Sequence, residues 1–286
     1  MKPIPIRHIA STPKQQNGGQ FSIRVIEQIL NGNNLIHDLH KHDFYFILAI
    51  QQGKGIHEID FISYPIHGHS IFILRPGQVH KLALQAGSTG FLMEFDLTFY
   101  QPQHTISGQR WKKASGKNYC QVEAGRYKKL HAVLATIFNE FDTKQEGYAA
   151  MIKANLDIFF IEYIRQSRNP KDIEKPEAAY TQERFDEFCQ LLEANIGSIK
   201  NVSQYAERLH LSSYQLNAIT KASIGKTVSE LINEQIILEA KRYLLATSNQ
   251  IKDIADLLGY EDASYFIRFF KKHTGLSPEA FRKNLK

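Results

Sequence analysis

The sequence predicts an α+β chain in two parts. An N-terminal β-barrel with two trailing helices comes first, then an all-α domain of two helix-turn-helix units joined by a long linker helix. Three observations predict this. Apolar residues recur at a period near two from Phe21 to Tyr100, and at three to four from Tyr127 onward. A polar, charged stretch with two prolines, Arg168 to Pro176, divides the parts. Towards the end a pattern repeats: Lys221 and Gly225 recur 50 residues on as Lys271 and Gly275, and Ala206 recurs 49 residues on as Ala255. Self-similarity at such a period marks one supersecondary unit used twice. One extra residue sits in the second copy, at Glu261-Asp262.

Met1 to Gln20 is polar and carries prolines, without the apolar centre of a signal peptide. No apolar run reaches the roughly 18 residues of a membrane span, so a cytoplasmic protein without a membrane partner is expected. Strand-like segments follow. Phe21 to Ile26 alternates, as does much of Asp43 to Ile50, and Ile56–Ile66, Ser70–Leu74, His80–Leu84 and Phe91–Tyr100 come next, separated by Gly and Pro. Short strands at this spacing argue a sandwich or barrel. Pro76-Gly77 reads as the centre of a type II turn. Trp111 to Tyr119 is basic and irregular, read as a loop.

Two helical stripes come after it. The first is Tyr127, Leu130, Val133, Leu134, Ile137, Phe138 and Phe141. The second, beyond Gly147, is Ile152, Leu156, Phe159, Phe160, Tyr163 and Ile164. Stripes of this kind need an apolar partner, for which the barrel is the simplest candidate. The expected bounds are 1–168 for the first domain (barrel about 20–100, helices about 124–168), 169–180 for a linker and 181–286 for the second domain.

The second domain opens with a helix that packs Phe185, Phe188, Leu191 and Leu192. Asn201 with Gln204 predicts a capping box, and Val202, Ala206 and Leu209 share one face. After the turn at His210-Leu211, Ser212 caps a helix packed through Leu216 and Ile219. Thr227-x-x-Glu230 opens the linker helix, which runs to about Thr247, ~30 Å of rod. Ile251, Ile254, Ala255 and Leu258 begin the second unit. Gly259 stands where a helix end needs positive φ, and Asp262 caps a helix packed through Phe266, Phe269 and Phe270. Ser277-Pro278 starts a last short helix, with Pro at its first position.

Net charge is +6. From Ala263 onward Arg268, Lys271, Lys272, Arg282, Lys283 and Lys286 stand against Glu279 alone, a concentration that suits phosphate contacts. Cys120 and Cys189 lie far apart without CxxC spacing, which excludes a zinc finger and a disulfide framework. No Ser-His-Asp, P-loop or paired-carboxylate pattern rises above chance, so no metal-free enzyme is expected.

Ile251-Lys252-Asp253-Ile254-Ala255-Asp256-Leu257-Leu258-Gly259-Tyr260, then Ser264 to Lys272, then Thr274-Gly275-Leu276-Ser277-Pro278 resemble the AraC/XylS family of bacterial transcription regulators. The resemblance covers about the last hundred residues. It implies a transcription regulator that binds double-stranded DNA, with the second helix of each unit entering a major groove. The implied groove-facing residues are Tyr214 and Asn217 in the first unit and Ser264, Tyr265 and Arg268 in the second, with Lys271 and Lys272 beside them. This chain has Ala218 where the family often has arginine, so Asn217 is expected to read an adenine edge instead. A homodimer, with the trailing helices as a possible contact, and RNA polymerase are further implied partners.

His40-Lys41-His42 and Pro76-Gly77-Gln78-Val79-His80 resemble the cupin-type sensor barrel that precedes the DNA-binding part in many of these regulators. Three readings stay open for His40, His42 and His80: polar residues at a strand entry and a turn, the lining of a small-molecule effector pocket, or metal ligands. Metal cupins add a glutamate three or four residues after the second histidine. Tyr45 and Phe46 occupy those positions here, so no metal or other cofactor is expected. A cupin oxygenase or isomerase fused to a DNA module is the alternative function, and it would need that metal.

Overall fold

A computed structural model of the chain describes residues 5–9, 20–100, 111, 114–167 and 176–284. The chain divides into two compact units, residues 5–171 and residues 172–286.

Among its described residues the first unit holds ten strands: β1 (Ile6–Arg7), β2 (Phe21–Val25), β3 (Leu35–His42), β4 (Tyr45–Gln52), β5 (Gly55–Ile59), β6 (Ile62–Ile66), β7 (Ser70–Leu74), β8 (Val79–Leu84), β9 (Thr89–Phe95) and β10 (Tyr119–Gln121). They form two five-stranded sheets, ordered β1-β3-β8-β5-β6 and β10-β7-β4-β9-β2. Phe46, Leu48, Ile50, Phe72, Leu74 and Leu92 of the second sheet meet Ile59, Leu82 and Leu84 of the first in one apolar interior.

The second sheet is buried on both faces. Its other side (Ile47, Ala49, Ile71, Ile73, Met93) packs against two antiparallel-stacked stripes, Tyr127, Leu130, Leu134 and Ile137 of α2 (Ala124–Thr143) and Ile152, Leu156, Phe159 and Phe160 of α3 (Tyr148–Ser167). Burial on two sides explains why Ser70–Leu74 and Tyr45–Ile50 read as nearly continuous apolar runs, whereas β8 alternates, with Lys81 and Ala83 outward. The helical stripes thus belong to the barrel.

Arg75 to Gln78 forms the expected turn. Gly77 has φ +85°, and the Gln78 N–H donates to the Arg75 carbonyl at 3.3 Å. Two elements escape the sequence pattern. A five-residue helix, α1 (Ile26–Leu30), continues straight from β2, and β10 starts at Tyr119, the last residue of the expected basic loop, by pairing with β7.

The second unit is helical: α4 (Pro176–Asn195), α5 (Val202–Arg208), α6 (Ser213–Ile224), α7 (Val228–Ala246), α8 (Ile251–Leu257), α9 (Ala263–Thr274) and α10 (Pro278–Asn284). The duplication holds at the hydrogen-bond level. Leu211 N–H donates to the Ala206 carbonyl and Tyr260 N–H to the Ala255 carbonyl, both at 2.9 Å. His210 (φ +55°) and Gly259 (φ +70°) occupy the same left-handed position. Gly259 is required there twice over, since an added Cβ would lie 1.9 Å from the Gly197 carbonyl oxygen.

Three helix starts follow the sequence expectation: capping boxes at Ser212/Gln215 and Thr227/Glu230, and Asp262 accepting from the Ser264 N–H. Asn201 is a correction. It has the extended backbone of an N-cap but its side chain caps nothing, and the short helix after it is secured by burial of Tyr205, whose hydroxyl donates to the Ile199 carbonyl at 3.0 Å. No helix among the described residues is long and apolar enough to cross a membrane.

Candidate nucleic-acid interface and barrel site

α6 and α9 each bury one face and expose the other. On α6 the buried side is Leu216, Ile219 and Thr220, and on α9 it is Phe266 and Phe270. The exposed residues fall at matching places 50 apart: Tyr214, Gln215, Ala218, Lys221 and Ala222 on α6, and Ser264, Tyr265, Arg268, Lys271 and Lys272 on α9. Positions i, i+4, i+7 and i+8 lie on one helix face, so each set forms a single strip. Tyr214 is 82% and Tyr265 56% exposed, unusual for large rings without a covering partner. The strips differ in charge. α9 carries three cations where α6 carries Lys221 alone.

Asn217 is a correction. Its Nδ2 donates to the Ser213 carbonyl at 2.9 Å and its Oδ1 accepts from the Val228 N–H at 3.0 Å. Both ends of the amide are engaged within the protein, which ties its orientation to α6 and α7 and works against turning it to an adenine edge. It fastens the start of α7 to α6. Arg282 is a second correction: Nε donates to the Leu244 carbonyl (2.9 Å) and Nη2 to the Asn249 carbonyl (2.8 Å), closing the far end of α7 rather than facing phosphate. The linker helix is therefore held at both ends by side chains of the second unit, Asn217 from α6 and Arg282 from α10.

In the barrel, β3 and β8 bring His40, His42 and His80 together, with ring nitrogens within 4.8 Å of one another. All three are buried, His80 completely. His80 Nε2 lies 2.7 Å from His42 Nε2, and His80 Nδ1 lies 2.8 Å from Nε2 of His57, a fourth buried histidine. His40 donates from Nδ1 to the Asp38 carbonyl at 2.6 Å. Burial pushes His42 and His57 down to about 3 and His80 well below the usual imidazole range, with the neighbouring imidazoles adding to the depression. All are neutral at neutral pH. The strand-entry reading fails for His40 and His42, which lie at the end of β3 with rings turned into the fold.

Two features went unseen in the sequence. His57 shares the inward side of β5 with Ile59, and the Gly55–Ile59 alternation contains that signal. Glu94 and Arg24 also stand on the interior side of their sheet, in register with Phe46 and Leu48, and Arg24 Nη2 donates to Glu94 Oε2 at 3.1 Å. Burial raises the Glu94 carboxyl, and the Arg24 guanidinium opposes the shift.

A barrel with a buried histidine cluster in an otherwise apolar interior, followed by a duplicated helix-turn-helix domain, is the architecture of a transcriptional regulator with a sensor domain. Residues 22–154 match the AraC-like ligand binding domain family and residues 205–284 a helix-turn-helix domain family. The chain is a transcriptional regulator of the AraC family. Over 251 residues it is 26% identical to the uncharacterized HTH-type transcriptional regulator YfiF of Bacillus subtilis, covering 85% of this chain and 78% of that protein. It is 18% identical to the HTH-type transcriptional activator RhaR of Yersinia pestis, covering 85% and 84%. Among solved structures, the C-terminal domain of the response regulator yesN from Fusobacterium nucleatum is 27% identical over 35% of this chain and 98% of that one, with a TM-score of 0.33. These relatives and domains are those of a regulator, and the fused-enzyme alternative finds no support among them.

Proposed function

We propose that this regulator binds a specific double-stranded DNA site by laying α6 and α9 into neighbouring major grooves, under the control of a ligand held in the barrel. The observation that carries the reading is the pair of exposed strips at identical offsets, one on each second helix. Nineteen residues of α7 span roughly 28 Å, close to the ~34 Å that separates successive major grooves on one face of a duplex. Arg268 would read a guanine edge, with Ser264 and Tyr265 beside it and Lys271 and Lys272 on phosphate. Tyr214 and the methyl of Ala218 suit apolar contact with thymine, so the two grooves would differ in base preference.

The proposed division of labour is 1–168 for sensing and dimerisation, 169–180 as linker and 181–286 for DNA, with α4 already begun at Pro176 inside the linker bounds. The ligand is a small molecule or ion held near His40, His42 and His80. It shifts the protein between states only through its differential affinity for them. Homodimerisation, contact with RNA polymerase and a cytoplasmic location complete the proposal. With both apolar stripes committed to the barrel, a dimer contact would use outward residues of α3 such as Met151 and Ile158. The test is selection of bound sequences from a random duplex pool, followed by footprinting. One chain should protect two segments about one helical turn apart, with a guanine fixed in one of them. Protection of a single segment, or no enrichment, overturns the reading.

A further inference from the structure

The geometry points to a metal site in the barrel: we infer that His40, His42 and His80 bind one divalent transition cation through their three Nε2 atoms, with His57 as an outer partner of His80. This deepens the barrel's proposed role as a ligand site and is independent of how α6 and α9 meet DNA.

The missing glutamate had argued against a metal, but the arrangement of the rings argues for one. Ligating histidines characteristically donate their other ring N–H to a carbonyl or another acceptor, which fixes the tautomer and aims the free nitrogen. His40 does this through Nδ1 to Asp38, so its Nε2 carries the lone pair. That Nε2 is fully buried and has no hydrogen-bond partner. A buried acceptor left unmade costs about 1–3 kcal/mol, and a cation at this point would satisfy it. His80 is held in the same way, Nδ1 facing His57, which leaves Nε2 turned toward His42 Nε2.

Two neutral imidazoles at 2.7 Å share a proton. A cation bonded to each nitrogen at about 2.0–2.1 Å takes that proton's place and opens the pair to roughly 3.3 Å, a movement of a few tenths of an ångström per ring. Phe46 stacks on His42, Phe44 leans on it at a tilt and Phe72 lies against His57, an apolar shell that limits water. Three imidazoles without carboxylate or thiolate select zinc, cobalt(II), nickel or iron(II) over magnesium and calcium. The unfilled positions leave room for water or for an organic co-ligand.

The test uses the full chain stripped with a chelator. Incubation with zinc followed by desalting should leave one equivalent per chain, and thermal unfolding should rise. Cobalt(II) should give the intense visible absorption of a low-coordinate nitrogen site. A His40→Gln, His80→Gln double variant should lose the retained equivalent. His57→Gln should weaken binding about 10–100-fold while still saturating at one. The inference is overturned if zinc, cobalt(II) and iron(II) are all washed away, if cobalt gives only its pale aqueous spectrum, or if the double variant holds metal as tightly as the parent. Because metal content is read on the protein alone, a failed DNA selection leaves this result standing, and the converse also holds.

Discussion

Arg268 and Asn217 sit one position apart in the repeat frame, and the structure gives them opposite tasks. Arg268 is exposed on the strip of α9, so Arg268→Ala should cost about 1–3 kcal/mol on the preferred site and relax selectivity at one base pair, measured by binding to single-substituted duplexes. Equal loss on every sequence would make it a phosphate contact. Asn217→Ala should instead lower the unfolding temperature of the DNA-binding unit, because it frees the buried start of α7, and should weaken all sequences alike. Ala218→Arg puts a guanidinium at the place matching Arg268, on an exposed position. The selected site should then gain a guanine in the groove assigned to α6. The sequence could show that Ala218 and Arg268 correspond, because helix periodicity and the repeat fix the frame. It could not show that Asn217 is engaged, because the Val228 N–H that donates to it is 11 residues ahead, at the start of a helix whose approach depends on the whole packing.

At the level of elements, caps and turns were the most legible features. Their chemistry is local: Thr227 answered by Glu230, Ser212 by Gln215, and a left-handed residue after each first helix. Gly259→Ala should therefore destabilise the unit by about 2 kcal/mol or more, combining positive φ with a clash against Gly197, as read by chemical denaturation. His210→Gly, at the matching turn, should be neutral or stabilising, since it relieves a non-glycine residue at φ +55°. α1 and β10 were illegible for the opposite reason. Ile26–Leu30 is too short for a period to register. Tyr119–Gln121 is a strand because β7 offers it an edge, a partner about 50 residues away. The polar faces inside the barrel follow the same rule: alternation locates inward positions, but which inward histidines meet depends on register between β3, β5 and β8.

For the whole molecule, the two parts were separable from composition alone, and the basic end pointed to a polyanion. Removing Arg282 from the phosphate inventory lowers the expected number of ionic contacts. DNA affinity should still fall steeply between low and moderate salt, and Lys271→Ala with Lys272→Ala should reduce the slope of log affinity against log salt by about 1–2. A slope unchanged by that pair would place the phosphates elsewhere on the surface.

The sheet formed by β10, β7, β4, β9 and β2 has a consequence of its own. Along β4, Phe46, Leu48 and Ile50 face the barrel interior while Ile47 and Ala49 touch the helices behind. A guest that pushed on the first set would push on the same strand that seats the second, so occupancy on this wall's inner surface would reach α2 and α3 without any residue having to touch both.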